Sequence, residues 1–332
     1  MPLSTDRAPG GRAAAPYPET PAERDRWILK RRGARNPVDP SRAVGAFVEE
    51  ERTERGEIEP VATVFLANRE CPWRCLMCDL WKNTTAETVS PGSIPEQIRG
   101  ALGALPPVRR VKLYNAGSFF DPRAIPPGDL GEIAAAVVAC DRVIVESHPA
   151  LVAGNAGRFR DLLAGDLEVA MGLETVHPVA LPLLNKRMGL DEFRRAADGL
   201  AEDGIAMRAF VLLGLPFVPS AEAVLWAVRS TEFAFDAGAT AVSIIPTRAG
   251  NGALDWLAER GEFIPPGLGA LERAAAEGIA AARGRVFADL WNLESLCRCV
   301  SCFPARAARL AAMNREQLVP PTIACAKCGA GD

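Results

Sequence analysis

The sequence predicts an α/β fold, a partial (β/α)6 TIM-like barrel with a small cysteine-rich C-terminal extension. From about residue 60, short apolar runs rich in β-branched residues alternate with helical patterns, the sign of βαβ units and a parallel sheet. Six such units leave a barrel open where eight strands would close it. After about residue 284 the alternation loosens and cysteines accumulate. A doubly wound open sheet satisfies the same alternation, because periodicity does not fix strand order.

Residues 1 to about 20 are rich in Pro, Ala, Gly and Arg without periodicity, and are expected to be disordered. Residues 21–59 read as a helical, basic N-terminal segment. Its basic stretch, 28–35, suits a solvated helix end, and could also touch phosphate. The barrel is expected over 60–284. Strand-like runs fall at 61–67, 108–114, 142–147, 167–173, 207–213 and 240–246. Helical patterns lie between them near 95–105, 129–140, 149–164, 190–203 and 219–237. A last strand candidate at 285–291 opens the cysteine-rich extension, 285–332.

Composition narrows the function classes. The 332-residue chain is 48% hydrophobic, enough for a substantial core, and its formal net charge of −3 offers no global basic field for nucleic acid or membrane. Lysine is scarce and arginine supplies most of the positive charge. No apolar run approaches 18 residues and the N-terminus has no signal-peptide core, so a cytoplasmic protein is expected. With no export signal, nine cysteines arranged largely in C-x2-C pairs favour metal binding over disulfides.

Cys71, Cys75 and Cys78 lie within eight residues, spaced C-x3-C-x2-C, directly after the first strand-like run. In a βα barrel the loops after strand C-termini build the active site, so position and chemistry agree. Three thiolates from one short loop do not complete a four-ligand shell. An iron–sulfur cluster held this way keeps one iron open, whereas a zinc knuckle would need a fourth ligand from elsewhere, and only His148 and His177 exist as histidines. His148, at the end of the third run, suits a structural or substrate-positioning role better than that of a base. In the extension, Cys299 with Cys302 and Cys325 with Cys328 have the count of a four-thiolate site, zinc or an auxiliary iron–sulfur cluster, with Cys297 spare. Cys140 reads as core.

The C-x3-C-x2-C loop resembles the signature of radical S-adenosylmethionine (SAM) enzymes. Further matches run from about 60 to 250: Gly117 and Ser118 after the second strand, the segment around Glu174 at the end of the fourth, then 183–188 and 204–216. These are similar to the branch containing the elongator catalytic subunit and archaeosine-type radical enzymes. The resemblance implies a 4Fe-4S cluster on Cys71, Cys75 and Cys78, with SAM at the open iron. It implies that Met77 stands where an aromatic residue packs near the adenine, and that the backbone at Gly117 and Ser118 receives the amino group. It further implies that Glu174 binds the ribose hydroxyls and Arg208 the SAM carboxylate. The implied partners are a small-molecule or modified-nucleoside substrate such as a 7-deazaguanine, possible tRNA, and a reductant such as flavodoxin or ferredoxin.

Overall fold

The computed structural model describes residues 17–329. Of the tail expected to be disordered, residues 1–16 lie outside the described residues. Residues 17–20 are packed: Tyr17 lies edge-on to Trp27 and against Phe217, and Thr20 caps the first helix.

One sheet carries eight strands in the order of the chain. They are β1 (Gly45–Arg52), β2 (Ile58–Leu66), β3 (Arg110–Asn115), β4 (Arg142–Glu146), β5 (Asp166–Glu174), β6 (Ala206–Leu213), β7 (Ala241–Pro246) and β8 (Arg285–Ala288). β1 pairs antiparallel with β2, and every later neighbour is parallel. The helices are α1 (Pro21–Leu29), α2 (Ser93–Gly103), α3 (Leu130–Ala136), α4 (Asn155–Arg160), α5 (Ala180–Leu183), α6 (Leu190–Glu202), α7 (Ala223–Asp236), α8 (Ala253–Ala258), α9 (Leu268–Ala280) and α10 (Phe303–Glu316). None of the described helices is long and apolar enough to cross a membrane.

The six expected strands all form, and two more join them. β8 hydrogen-bonds to β7 as the last parallel strand, and β1 adds an antiparallel hairpin arm that the sequence reading did not assign. β1 escaped notice because Glu49, Glu50 and Glu51 break its apolar character.

The two faces of the sheet explain the composition of its strands. Alternate residues point to opposite faces. Val111 and Leu113, Val143 and Val145, Val169 and Met171, Ala209 and Val211, and Val242 and Ile244 all join the main apolar core. The other face carries a buried polar set from the opposite positions of five strands: Glu51, Lys112, Glu168, Arg208 and Arg285. Side chains from β1, β3, β5, β6 and β8 can meet at one point only if the sheet curls round it. They do: Lys112 lies 2.6 Å from Glu51, and Arg208 Nε 2.7 Å from Glu168. Glu51 also takes both terminal nitrogens of Arg208, and Arg285 stands 3.8 Å from Glu168.

α10 covers the outer edge of β8. Asn314 and Gln317, near its C-terminus, present amides to the strand as a neighbouring strand would. Val286 donates to Gln317 Oε1 at 2.7 Å and Ala288 to Asn314 Oδ1 at 2.8 Å, and the carbonyls of both accept in return. A sheet edge that would otherwise present unpaired backbone groups is thereby satisfied.

Candidate functional site

The C-terminal ends of the parallel strands gather the predicted site residues other than Arg208. Cys71, Cys75 and Cys78 occupy the loop after β2. All three thiols are partly accessible, yet enclosed by protein, so they line a recess rather than an outer surface. Burial raises each thiol pKa, to about 12 for Cys71 and about 11 for Cys78. Held as neutral thiols they are poor nucleophiles, and a metal would have to displace their protons.

The loop is clamped from four directions. Leu76 N–H donates to Leu184 O, and Asn185 Nδ2 donates to Arg74 O, both at 2.8 Å. Asn251 Nδ2 donates to Leu76 O at 2.8 Å. Glu70, just before the first cysteine, binds Arg32, Arg35 and Arg74, the last at 3.1 Å. The basic stretch 28–35 is therefore largely engaged inside the molecule. Arg32 and Arg35 neutralise Glu70, while Arg31 lies over Trp27 and Trp256 at 3.6 and 4.6 Å from the ring centroids.

His148 follows β4. Its ring stacks on Trp73 of the cysteine loop, with centroids 3.7 Å apart and planes 7° apart. Its Nδ1 accepts from Ala150 N–H at 3.1 Å, so the neutral ring carries its proton on Nε2, which donates to Lys186 O at 3.1 Å. Burial lowers its pKa to about 4. Both nitrogens are used, so His148 is a neutral latch on the loop rather than a fourth metal ligand or a base.

Gly117 and Ser118 sit directly beside the cysteine loop. A Cβ on Gly117 would stand 3.2 Å from Cys71 Cβ, so the glycine permits close approach of β3's end to the first cysteine. Ser118 Oγ accepts from His148 N–H at 2.9 Å, joining the β3 and β4 ends. Met77 packs between two small apolar clusters, one with Trp27 and Leu254, the other with Leu184 and Leu212.

Glu174 ends β5 in the left-handed region, φ 66°, at an irregularity in the β5–β6 register. A residue other than glycine held there marks local backbone strain. Its carboxylate pairs with Lys186, buried with it, and both act electrostatically on Cys75. Glu146, at the end of β4, lies in the same recess. Burial is the main cause raising its pKa to about 8, with Lys186 opposing and Glu174 adding to the shift. Its folded pKa thus exceeds its unfolded value. The penalty is absent below the ordinary value of 4.5, where both states are protonated, and stability is lost as pH rises toward about 8. Glu146→Gln is expected to cancel that loss, so that in urea titrations the variant's advantage over wild type grows from about pH 5 to about pH 8.

Arg208 takes a different place from the one the resemblance implies. It is the third residue of the eight-residue β6, in the lower half of the barrel. Its guanidinium is 2% exposed and is engaged by Glu51 and Glu168. Arginine's fork is indeed used bidentately, but on internal carboxylates.

Several buried polar atoms at the strand ends have no partner within the protein. They are Asn68 Oδ1 after β2, both amide atoms of Asn115 at the end of β3, Asn185 Oδ1 after β5 and Thr247 Oγ1 after β7. Buried polar groups are rarely left unsatisfied, so their clustering at one end of the sheet fits a bound polar group there. The donor chemistry fits too: the loop offers three thiols, and among the described residues these are not part of any set of three or more ligand atoms close enough to share a single ion. At the opposite end of the barrel a depression of about 350 Å³ is lined by Glu54, Arg110, Arg142 and Asp166, which pair with one another. It lies away from the cysteine loop.

Lys186, Glu146, Trp73, Asn185 and Asn251 were not singled out as site residues from the sequence. Lys186 had a signal, being one of only five lysines and falling inside a segment already noted. The others had none, because contact across loops is not a periodicity.

No family model matches the sequence. The uncharacterized protein MJ0550 of Methanocaldococcus jannaschii is 21% identical over 261 residues, spanning 74% of this chain and 70% of that protein. Among solved structures, archaeal Methanocaldococcus infernus Elp3 lacking its N-terminus superposes with a TM-score of 0.47 at 16% identity, over 58% of this chain and 51% of that one. The chain thus spans about half of that structure's length. Coproporphyrinogen III oxidase (HemN) from Escherichia coli, described as a radical SAM enzyme, gives 0.44 at 12% identity, covering 69% and 53%. TsrM from Kitasatospora setae, a radical S-adenosylmethionine methyltransferase, gives 0.43 at 14%, covering 60% and 39%.

Proposed function

We propose that this chain is a radical SAM enzyme of the elongator/archaeosine-like branch. The observation that carries the reading is the recess above β2–β6. There the Lys186–Glu174 pair acts on the Cys75 thiol of the loop, and asparagine amides without a protein partner stand at the same strand ends.

Cys71, Cys75 and Cys78 would hold a 4Fe-4S cluster. Together with SAM it supplies one-electron reductive cleavage to methionine and a 5′-deoxyadenosyl radical that abstracts hydrogen from substrate. The chain's own residues do the rest. Asn185, Asn251 and the Leu184 carbonyl fix the loop backbone, Trp73 on His148 closes one wall, and Glu70 with its arginines holds the loop's entry. Glu174, preset by Lys186, offers a carboxylate to ribose hydroxyls. Glu146 is protonated at neutral pH and can donate a hydrogen bond to substrate.

The proposed substrate is a small molecule or modified nucleoside, such as a 7-deazaguanine, with flavodoxin or ferredoxin as reductant and the cytoplasm as compartment. Free substrate is favoured over tRNA by the engagement of Arg31, Arg32 and Arg35 within the fold. The test is anaerobic reconstitution with iron and sulfide. A brown chromophore and deoxyadenosine from SAM plus dithionite support the reading, and zinc in the loop without deoxyadenosine refutes it. Salt-sensitive retention of tRNA would instead establish the tRNA substrate. Glu174→Ala and Glu174→Gln are both expected to weaken SAM binding about tenfold, the loss of one charge-assisted hydrogen bond, with iron content unchanged. Equilibrium dialysis with labelled SAM checks this.

A further inference from the structure

A second cysteine group lies outside the barrel. Cys299 and Cys302 precede α10, and Cys325 and Cys328 lie at the end of a stretch without helix or strand that returns along it. Their four Sγ atoms all lie within 4.8 Å of one another, with Cys299 and Cys325 at 3.9 Å and Cys302 and Cys328 at 3.7 Å. The N–H groups of Ser301 and Cys302 turn toward the Cys299 sulfur, and those of Lys327 and Cys328 toward Cys325. Each C-x2-C pair is thus a preformed knuckle.

The spacing chooses between the two metals the sequence left open. One tetrahedral ion with metal–sulfur bonds of about 2.3 Å sets its four sulfurs about 3.8 Å apart. A cubane places each thiolate on a different iron, and a two-iron cluster divides the thiolates between two irons. In either case the cross-cluster sulfurs are pushed well beyond the 4.8 Å span seen here. Cys297 is no ligand in this arrangement, since its thiol donates to Cys299 O at 3.4 Å. With clusters excluded by distance, a closed four-thiolate shell suits zinc.

We propose that Cys299, Cys302, Cys325 and Cys328 form a closed mononuclear zinc site that clamps α10 onto the open edge of β8. The helix is fixed to the barrel by Arg306 and Arg309 on Glu272 of α9, at 2.6 and 3.2 Å, and by Asn314 and Gln317 on β8. The returning stretch is held midway by Arg309 on Pro320 O and Pro321 O, both at 2.9 Å. The ion supplies the remaining anchor and closes the loop from Cys302 to Cys325 around the helix. Because zinc has no redox chemistry, the site carries no electrons to the barrel.

The test is metal analysis of the full chain expressed with zinc and purified without chelator. One zinc per chain is expected, retained in Cys75→Ala and lost in Cys302→Ser and Cys328→Ser, with the loop's iron unchanged in the tail variants. Hydrogen exchange at the Val286 and Ala288 amides should rise at least about tenfold in those variants. Should they fail to fold, refilling the chelated wild type with Co(II) should give the intense visible bands of tetrahedral thiolate coordination. Acid-labile sulfide or iron lost with the tail cysteines would overturn the site as a zinc site. No metal loss would overturn it altogether, and zinc loss with unchanged exchange would overturn the clamp. The zinc count is independent of SAM cleavage, so either reading can fail without the other.

Discussion

Cys75→Ala is expected to abolish the brown chromophore of the barrel loop and deoxyadenosine formation together, a loss of at least three orders of magnitude in SAM cleavage. The Cys75 thiol is enclosed by protein and feels the charges of both Lys186 and Glu174. The remaining pair, Cys71 and Cys78, offers only two protein ligands. No histidine stands ready to replace the missing thiolate, since His148 uses both ring nitrogens within the fold. Iron and sulfide analysis, visible absorption and chromatography of the SAM products check the outcome. Retained activity would mean that the reaction does not start at these thiols.

Arg208→Leu is expected to destabilise the fold by about 3–5 kcal/mol, because it removes the cation hydrogen-bonded to both Glu51 and Glu168 and leaves buried Glu168 only Arg285, 3.8 Å away. Desolvation alone would raise the Glu51 pKa, but Arg208 and Lys112 outweigh it and hold the carboxyl far below its ordinary value. The direction of the pH dependence follows. A folded-state pKa below the unfolded one contributes stability that is present above the ordinary carboxylate range and lost as pH falls through it. Wild type should therefore soften in acid from about pH 4.5 downward, and the variant's denaturation midpoint should fall less steeply over that range. Urea titrations of both proteins from pH 3 to pH 7 measure it. Replacing Glu51, Lys112, Glu168, Arg208 and Arg285 together by apolar residues of similar volume should cost much less than the single change, since no member of the buried cluster is then left without its partners. A larger loss in that combined variant would contradict this account.

Much of the barrel was legible because parallel strands buried on both sides leave dense apolar runs. The same rule hid β1, whose inward positions carry glutamates. Its hairpin with β2 is stabilised by Lys112, Arg110 and Arg208, which arrive from β3 and β6. The charged residues embedded in the strands at 112, 168, 208 and 285 were a readable sign that the concave face is polar. Their alternation with apolar residues is the period of a strand. That they neutralise one another is not readable, because the partners are distant in sequence, Glu51 and Arg208 being 157 positions apart.

The sequence by itself determined the chemistry on offer: three thiols after the first parallel strand, two further C-x2-C pairs in the tail, and the alternation that delivers strand ends to one rim. These are local facts of spacing, and local spacing survives in any fold that keeps the loop and the strand. The tertiary structure alone decided which groups meet. Curling of the sheet sends Arg208 to internal carboxylates, draws Lys186 and Glu146 in beside Glu174, and spends the basic N-terminal stretch on Glu70. It also brings the four tail sulfurs close enough for one ion. Hydrogen bonds and ion pairs depend on distances of a few ångströms, and those are fixed only once the whole chain has closed around its core.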